Sequence, residues 1–238
     1  MRGEEAEAVS GERASAPHYP VPPFRRWEIV LTAHAHAAHL ETSTGLDNRK
    51  VAIWTFIGSE CMFFATLISN YLVNKGKSLV GPFPHEPWTS PAGQHFEPIF
   101  EIPLVTLGTA LLLFSSLFVV LALSGAQRGS RKALIGWLGA TIACGVFFAG
   151  MQVYEFTHFV HRGLGFTTNL FGSSFYTLTG FHGTHVAIGV LWLATLWVDA
   201  LRGKLPPAKS LNLEMAALYW HFVDVVWIII FPVVYLIQ

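Results

Sequence analysis

Five stretches of this chain are apolar over lengths that fit a membrane crossing, and they constrain everything else. They lie at about residues 51–73, 102–124, 133–156, 176–199 and 216–237. Crossing roughly 30 Å of hydrocarbon as a helix takes about 18 to 20 residues, and each run meets that requirement. Membrane strands would instead be about ten residues long with period-two alternation, a pattern absent from these runs. The sequence therefore predicts an all-α polytopic membrane protein, a bundle of five transmembrane helices over residues 51–238. Charge content agrees: 13% of the 238 residues are charged, against about 25% in soluble domains. The formal net charge is zero with histidine neutral, which gives no reason to expect nucleic acid or an acidic substrate as a partner.

The ends of the runs carry punctuation. Pro103 suits the first turn of the second helix and Gly125 its exit. Trp54, Tyr71, Trp137, Tyr154, Tyr176, Tyr219, Trp220 and Tyr235 stand near run ends, where aromatic rings favour the headgroup level. Arg49, Lys50, Arg128, Arg131, Lys132, Arg202, Lys204 and Lys209 fall on one side, eight against Lys75, Lys77 and Arg162 on the other. The basic excess predicts a cytoplasmic N-terminus and an external C-terminus. Residues 1–50 read as a polar lead, partly disordered, without the apolar core of a secretory signal. The Pro-rich connection 74–101 is long for a loop and is a candidate surface for a partner protein.

Polar residues inside such runs are the candidate functional positions, because a carboxylate at the centre of a membrane helix costs about 2.5–3.5 kcal/mol on insertion scales. Glu60 stands alone in the first run, with Phe56, Ile57, Phe63 and Phe64 one turn away on either side. Three pairs share a spacing of three, which puts both members on one side of a helix: Glu155 with His158, His182 with His185, and His221 with Asp224. A di-iron bundle uses two Glu-x-x-His motifs and two further glutamates. This chain has one such motif at a helix end, so the ligand count argues against a metal. A haem gripped between His182 or His185 and His221 is the other metal-bearing reading, set against ordinary histidine hydrogen bonds to carbonyls or carboxylates. His34, His36 and His39 lie within six residues of the lead but lack a completing ligand at a fixed spacing. Cys61 and Cys144 read as packing residues rather than a disulfide. Small residues at Gly136, Ala140 and Cys144, at Gly145 and Ala149, and at Gly183 and Ala187 predict close helix approach.

Several stretches resemble one family. "TGFHGTHVAIG" (179–189) and "YWHFVDVVW" (219–227) are similar to two signature segments of subunit III of haem-copper cytochrome c oxidases. "FIGSECMFFATL" resembles the family's acid-bearing helix, and "YEF" at 154–156 followed by "GSSFYTLTGFHG" keeps the family's order. Many members have seven helices, the first two forming one arm of a lipid-holding cleft; five runs correspond to the shorter bacterial form. The resemblance implies a supporting subunit in aerobic respiration, with no active site of its own. It implies no catalytic, cofactor or metal residue in this chain. Haem and copper would belong to partner subunits I and II, with a small subunit IV as a further partner and phospholipid as a ligand. It also implies a multi-pass location in the bacterial inner membrane. Glu60, Glu155, His158, His182, His185, His221 and Asp224 then form a buried polar patch, structural or related to protons or lipid. Glu60 is expected to hydrogen-bond His182 or His185. Competing readings are the equivalent subunit of a quinol oxidase or nitric oxide reductase, an independent membrane metalloenzyme, and a small transporter or proton channel. The last lacks the interrupted helices that mark a midplane site.

Overall fold

The structure is a computed structural model that describes residues 47–237, apart from 80, 84, 90–92, 94, 97–99 and 206–209. The 1–50 lead, with His34, His36 and His39, lies outside the described residues except for its last four positions. Five helices carry the fold: α1 (Asn48–Asn74), α2 (Ile102–Gln127), α3 (Arg131–His161), α4 (Leu170–Leu201) and α5 (Ser210–Phe231). A π-helical turn, Pro232–Leu236, continues α5. All five are long and apolar enough to cross a membrane. Between α1 and α2, β1 (Trp88–Thr89) and β2 (His95–Phe96) pair antiparallel, Trp88 opposite Phe96 and Thr89 opposite His95.

The helices overrun the apolar segments that announce them. α3 ends five residues beyond 156 and α4 begins six before 176. Hydrophobicity measures only the hydrocarbon layer, whereas backbone hydrogen bonding continues through the headgroup region. At 1.5 Å per residue, the 32 residues of α4 span about 48 Å. Asn169 caps the N-terminus of α4, its Oδ1 accepting from Gly172 N–H at 2.7 Å.

Neighbours in sequence pack against each other, α2 on α3 and α3 on α4, while α5 lies against α2, α4 and α1. Among these helices α5 is the most enclosed and α1 the least. α1 buries one narrow stripe, Ile53, Ile57, Phe64 and Tyr71, whose spacings of four and seven keep them on one side of a helix. Arg131 ties two helices at one end of the bundle, donating from Nε to Ala200 O at 3.1 Å and from Nη2 to Leu201 O at 2.5 Å. Lys50 and Glu214 join the starts of α1 and α5 at 2.7 Å. At the opposite end Lys75 donates to the carbonyl of Ile237.

Three packing expectations are corrected. Gly125 does not end α2, which runs two residues further and closes on Gly129 at φ +70°. A Cβ on Gly125 would sit 2.9 Å from Leu134 N, so this glycine permits the close approach of α2 and α3. In the Gly136, Ala140, Cys144 row, Gly136 makes no close approach: it is exposed, with no atom within 4 Å of where its Cβ would stand. Close approach is made at Gly145, one of the predicted small-residue positions, and at Gly189, which was not among them; the two flank the ring of Trp220. A Cβ at Gly145 would meet Trp220 Cη2 at 2.7 Å, and one at Gly189 would meet Cε3 at 2.9 Å. Cys61 points outward rather than into the core. Tyr71, Trp220 and Tyr235 are core residues, each at most 1% exposed, while Trp54, Trp137 and Tyr154 face out. Proximity to a run end could not separate the two groups, because the deciding variable is the side of the helix.

Candidate functional site

Glu60 continues the buried stripe of α1, three residues after Ile57 and four before Phe64. That position turns its carboxylate toward α4, where Oε2 lies 3.2 Å from His185 Nε2. The other ring nitrogen, Nδ1, is 2.7 Å from the carbonyl oxygen of Phe181. A carbonyl only accepts, so Nδ1 carries a hydrogen. The Glu60 contact then requires exactly one more proton, held either as Nε2–H against a carboxylate or as a carboxyl O–H donated to Nε2. In both forms the pair has no net charge, which keeps a two-residue polar contact tolerable at this depth. Phe64 stands edge-on to His185 with ring centroids 5.0 Å apart, and Tyr219 Oη donates to the His185 carbonyl at 3.0 Å.

His182, one turn earlier, has a different environment. Three residues turn a helix by about 300°, so the two rings diverge by about 60°. His182 is completely buried and stacks on Trp227 at 4.7 Å, with Phe148 edge-on at 5.9 Å. Neither ring nitrogen of His182 has a hydrogen-bond partner among the described residues. Of the two fourth-helix histidines, the one that meets Glu60 is thus His185.

The other spaced pairs also divide. Glu155 is buried and accepts from Tyr235 Oη at 2.9 Å, whereas His158 turns to Glu101, with Nε2 3.7 Å from Oε1. His221 Nδ1 meets Ser116 Oγ at 2.5 Å. Asp224 is buried, with the Ser116 hydroxyl beside its carboxyl group. Of the seven sequence-marked residues, Glu60, Glu155, His158, His185 and His221 make polar contacts with a neighbouring element, the His182 ring makes none among the described residues, and the seven do not gather at one centre. No group of three His, Cys, Asp or Glu among the described residues is placed to hold a metal.

Sequence reading missed several members of this polar interior. Gln152 Nε2 donates to Thr179 O at 2.6 Å, next to Gly183, whose missing side chain leaves room for the amide. Trp220 Nε1 donates to Ser115 Oγ and Trp227 Nε1 to Thr109 Oγ1, each at 2.9 Å. The available signal was the spacing of seven between Trp220 and Trp227, which puts both indoles on one side of α5. Buried tryptophans need acceptors for their N–H groups, and Ser115 and Thr109 supply them from α2.

A profile described as "Cytochrome c oxidase subunit III" matches residues 25–238. The chain belongs to the cytochrome c oxidase subunit III family. It is 40% identical over 211 residues to the cytochrome c oxidase subunit 3 of Bacillus sp. (strain PS3), covering 88% of this chain and 96% of that one. It is 37% identical over 208 residues to the quinol oxidase subunit 3 of Bacillus subtilis (strain 168), covering 84% and 96%. A third relative is the cytochrome bo(3) ubiquinol oxidase subunit 3 of Pseudomonas aeruginosa (strain PAO1), 37% identical over 198 residues and covering 83% and 88%. Family membership makes the chain a subunit III of haem-copper oxidases, a class whose members serve both cytochrome c and quinol oxidases.

Proposed function

We propose that this chain is a non-catalytic supporting subunit of a haem-copper oxidase in aerobic respiration, with cytochrome c as electron donor. It stabilises the catalytic subunit, positions lipid beside it and sustains its proton uptake. The observation that carries this reading is the family match along nearly the whole chain, read together with a polar interior whose contacts tie helices in pairs. A catalytic site would need polar groups aimed at one reacting centre, and these are distributed along the bundle. Haem and copper reside in partner subunits I and II, and a small subunit IV completes the complex. The protein sits in the bacterial inner membrane with its N-terminus in the cytoplasm.

Glu60, Glu155, His158, His185 and His221 act here as positioning groups, and His182 and Asp224 complete the polar interior. Each fixed polar contact sets the rotation and depth of a helix that apolar packing alone would leave free to slide, since lipid tails solvate leucine as well as a neighbouring helix does. Quinol as donor is the second reading, favoured by the relatives at 37% identity named as quinol oxidase subunits.

Purification of the complex through a tag on this chain tests the proposal. The expected result is companion chains that carry haem bands in a reduced-minus-oxidised spectrum, oxidation of reduced cytochrome c, and no haem on this chain once it is separated. Haem or copper retained by the isolated chain would overturn the reading, and turnover with quinol alone would replace the donor. Reporter fusions at Gly129 and at the C-terminal end check orientation, with cytoplasmic activity expected at the first and external activity at the second.

A further inference from the structure

α2 and α5 pack side by side, and a chain of three polar groups crosses their seam. His221 Nδ1 meets Ser116 Oγ at 2.5 Å, and the Ser116 hydroxyl lies beside the buried carboxyl of Asp224. Ser116 stands eleven residues before Gln127, the end of α2, and His221 eleven after Ser210, the start of α5. Those two helix ends are on the same side of the bundle, so both residues sit about 17 Å in, near the middle of the hydrocarbon layer. His221 is half-buried, and along α2 and α5, both described over their whole length, nothing accepts a hydrogen bond from its Nε2. Its side of α5 continues as Val225, 54% exposed, and then Ile228 and Ile229, at the spacing of one helix face. Leu113 and Leu117 are exposed next to Ser116 on α2. His221 is thus the polar member of an otherwise apolar outer face.

Counting hydrogens fixes what His221 offers outward. Ser116 has one hydroxyl hydrogen. When Asp224 is neutral, its O–H needs an acceptor, and Ser116 Oγ is the polar atom beside it. The Ser116 hydrogen then goes to His221 Nδ1, and a neutral imidazole that accepts at Nδ1 carries its hydrogen on Nε2. Passing one proton along the chain, from Asp224 to Ser116 and from Ser116 to Nδ1, leaves a carboxylate and an imidazolium, and Nε2 still carries a hydrogen. Both arrangements have no net charge. A carboxylate beside a neutral imidazole would put an uncompensated charge at mid-membrane depth. Nε2 is therefore a donor, and a donor without an acceptor in hydrocarbon is costly. Depth then selects what covers it. The acceptors of a phospholipid begin at the edge of the hydrocarbon layer, about 15 Å from its middle, so acyl chains bring nothing to Nε2. A second membrane-crossing helix does.

We propose that the α2–α5 seam at His221 docks a transmembrane helix of a companion subunit, one that sets a hydroxyl, amide or carboxyl oxygen opposite His221 Nε2. The inference rests on the reading of this chain as a supporting subunit and adds the face and the chemistry of one contact.

The test uses the intact complex purified through a tag on this chain. A photo-reactive benzophenone side chain installed at Val225, one turn from His221, leaves the three polar groups in place and does not depend on any His221 variant folding. Irradiation is expected to cross-link it to a transmembrane segment of a companion chain, located by mass spectrometry. His221→Phe should lower the companion fraction retained after a detergent challenge by about fivefold, the scale of one hydrogen bond. His221→Gln, whose amide oxygen accepts from Ser116 while its N–H donates outward, should keep wild-type retention. Haem-bearing companions with cross-links only to lipid, a quinone or a second copy of this chain overturn the docking surface and leave the supporting role standing. Unchanged retention in His221→Phe does the same, and an equal loss in His221→Gln overturns the donor assignment. A tagged wild-type chain that brings down no companion overturns both readings.

Discussion

Glu60 on α1 and His185 on α4 stand 3.2 Å apart and share a single proton, because the second ring nitrogen of His185 is already committed to the Phe181 carbonyl. Removing the carboxyl leaves Nε2 without its acceptor or donor in a largely apolar surround. Glu60→Ala should destabilise the assembled complex by about 1–3 kcal/mol, the cost of an unsatisfied buried polar group. Glu60→Gln retains an N–H that can donate to Nε2 and should stay near wild type. Thermal unfolding of the purified complex measures both, and a double change with His185→Ala should be clearly less than additive. Wild-type stability, assembly and proton uptake in Glu60→Ala would remove this pair from any account of the protein.

Trp220 occupies a slot opened by two glycines. Gly189→Ala would place a methyl group 2.9 Å from its ring, and Gly145→Ala one at 2.7 Å. Each should cost about 1–3 kcal/mol through overpacking. Trp220 fluorescence should shift in both variants as the indole leaves Ser115. Gly136→Ala, on the open face of the same helix as Gly145, should leave stability and emission unchanged.

Tyr235 donates its hydroxyl hydrogen to Glu155 Oε2, and Glu155 Oε1 has no hydrogen-bond partner among the described residues. Tyr235→Phe therefore strands both carboxyl oxygens. A loss of about 1–3 kcal/mol is expected, visible as reduced yield of the assembled complex, with partial recovery when Glu155→Gln is added.

The loop before α2 should be sensitive to acid. Burial holds the His85 imidazole below its ordinary pKa of 6.5, and the charge of Lys75 lowers it further, with the Val234 carbonyl and Glu86 opposing. The packed loop thus binds fewer protons than the detached one. Its packing is fully retained above about pH 6.5 and is lost as pH falls through the lower folded value. Amide protection across residues 85–89, taken relative to the intrinsic exchange rate at each pH, should fall between pH 7.5 and 5 in the wild type. His85→Phe, which keeps the edge contact with Phe100, should be flat over that range.

The five spans were legible because hydrocarbon thickness imposes a length that few other constraints produce. Helix ends were less so: at Gly125 the residue type suggested an exit, yet the helix runs on and the glycine serves its neighbour. Among the polar positions, Glu60 could be singled out because no other charged residue interrupts its run. Its choice of His185 over His182 depended on a rotation of about 60° between two positions, which spacing alone does not resolve against α1. Tyr71 and Tyr235 illustrate the same difficulty, since a ring near a helix end reads alike whether it faces headgroups or the core. Gln152 and the hydroxyl acceptors of Trp220 and Trp227 escaped notice because Ser, Thr and Gln are common in membrane helices and become informative only once a partner helix is placed beside them.

The earliest of the five described helices is also the one held by the narrowest strip, and its acid finds a partner 125 residues later in the chain. During synthesis α1 must therefore enter the bilayer and wait there, incomplete, until the fourth crossing has left the ribosome. A nascent chain stalled before that point would display an unsatisfied carboxyl to lipid, a mark by which membrane proteases and insertases can tell an unfinished copy from a finished one.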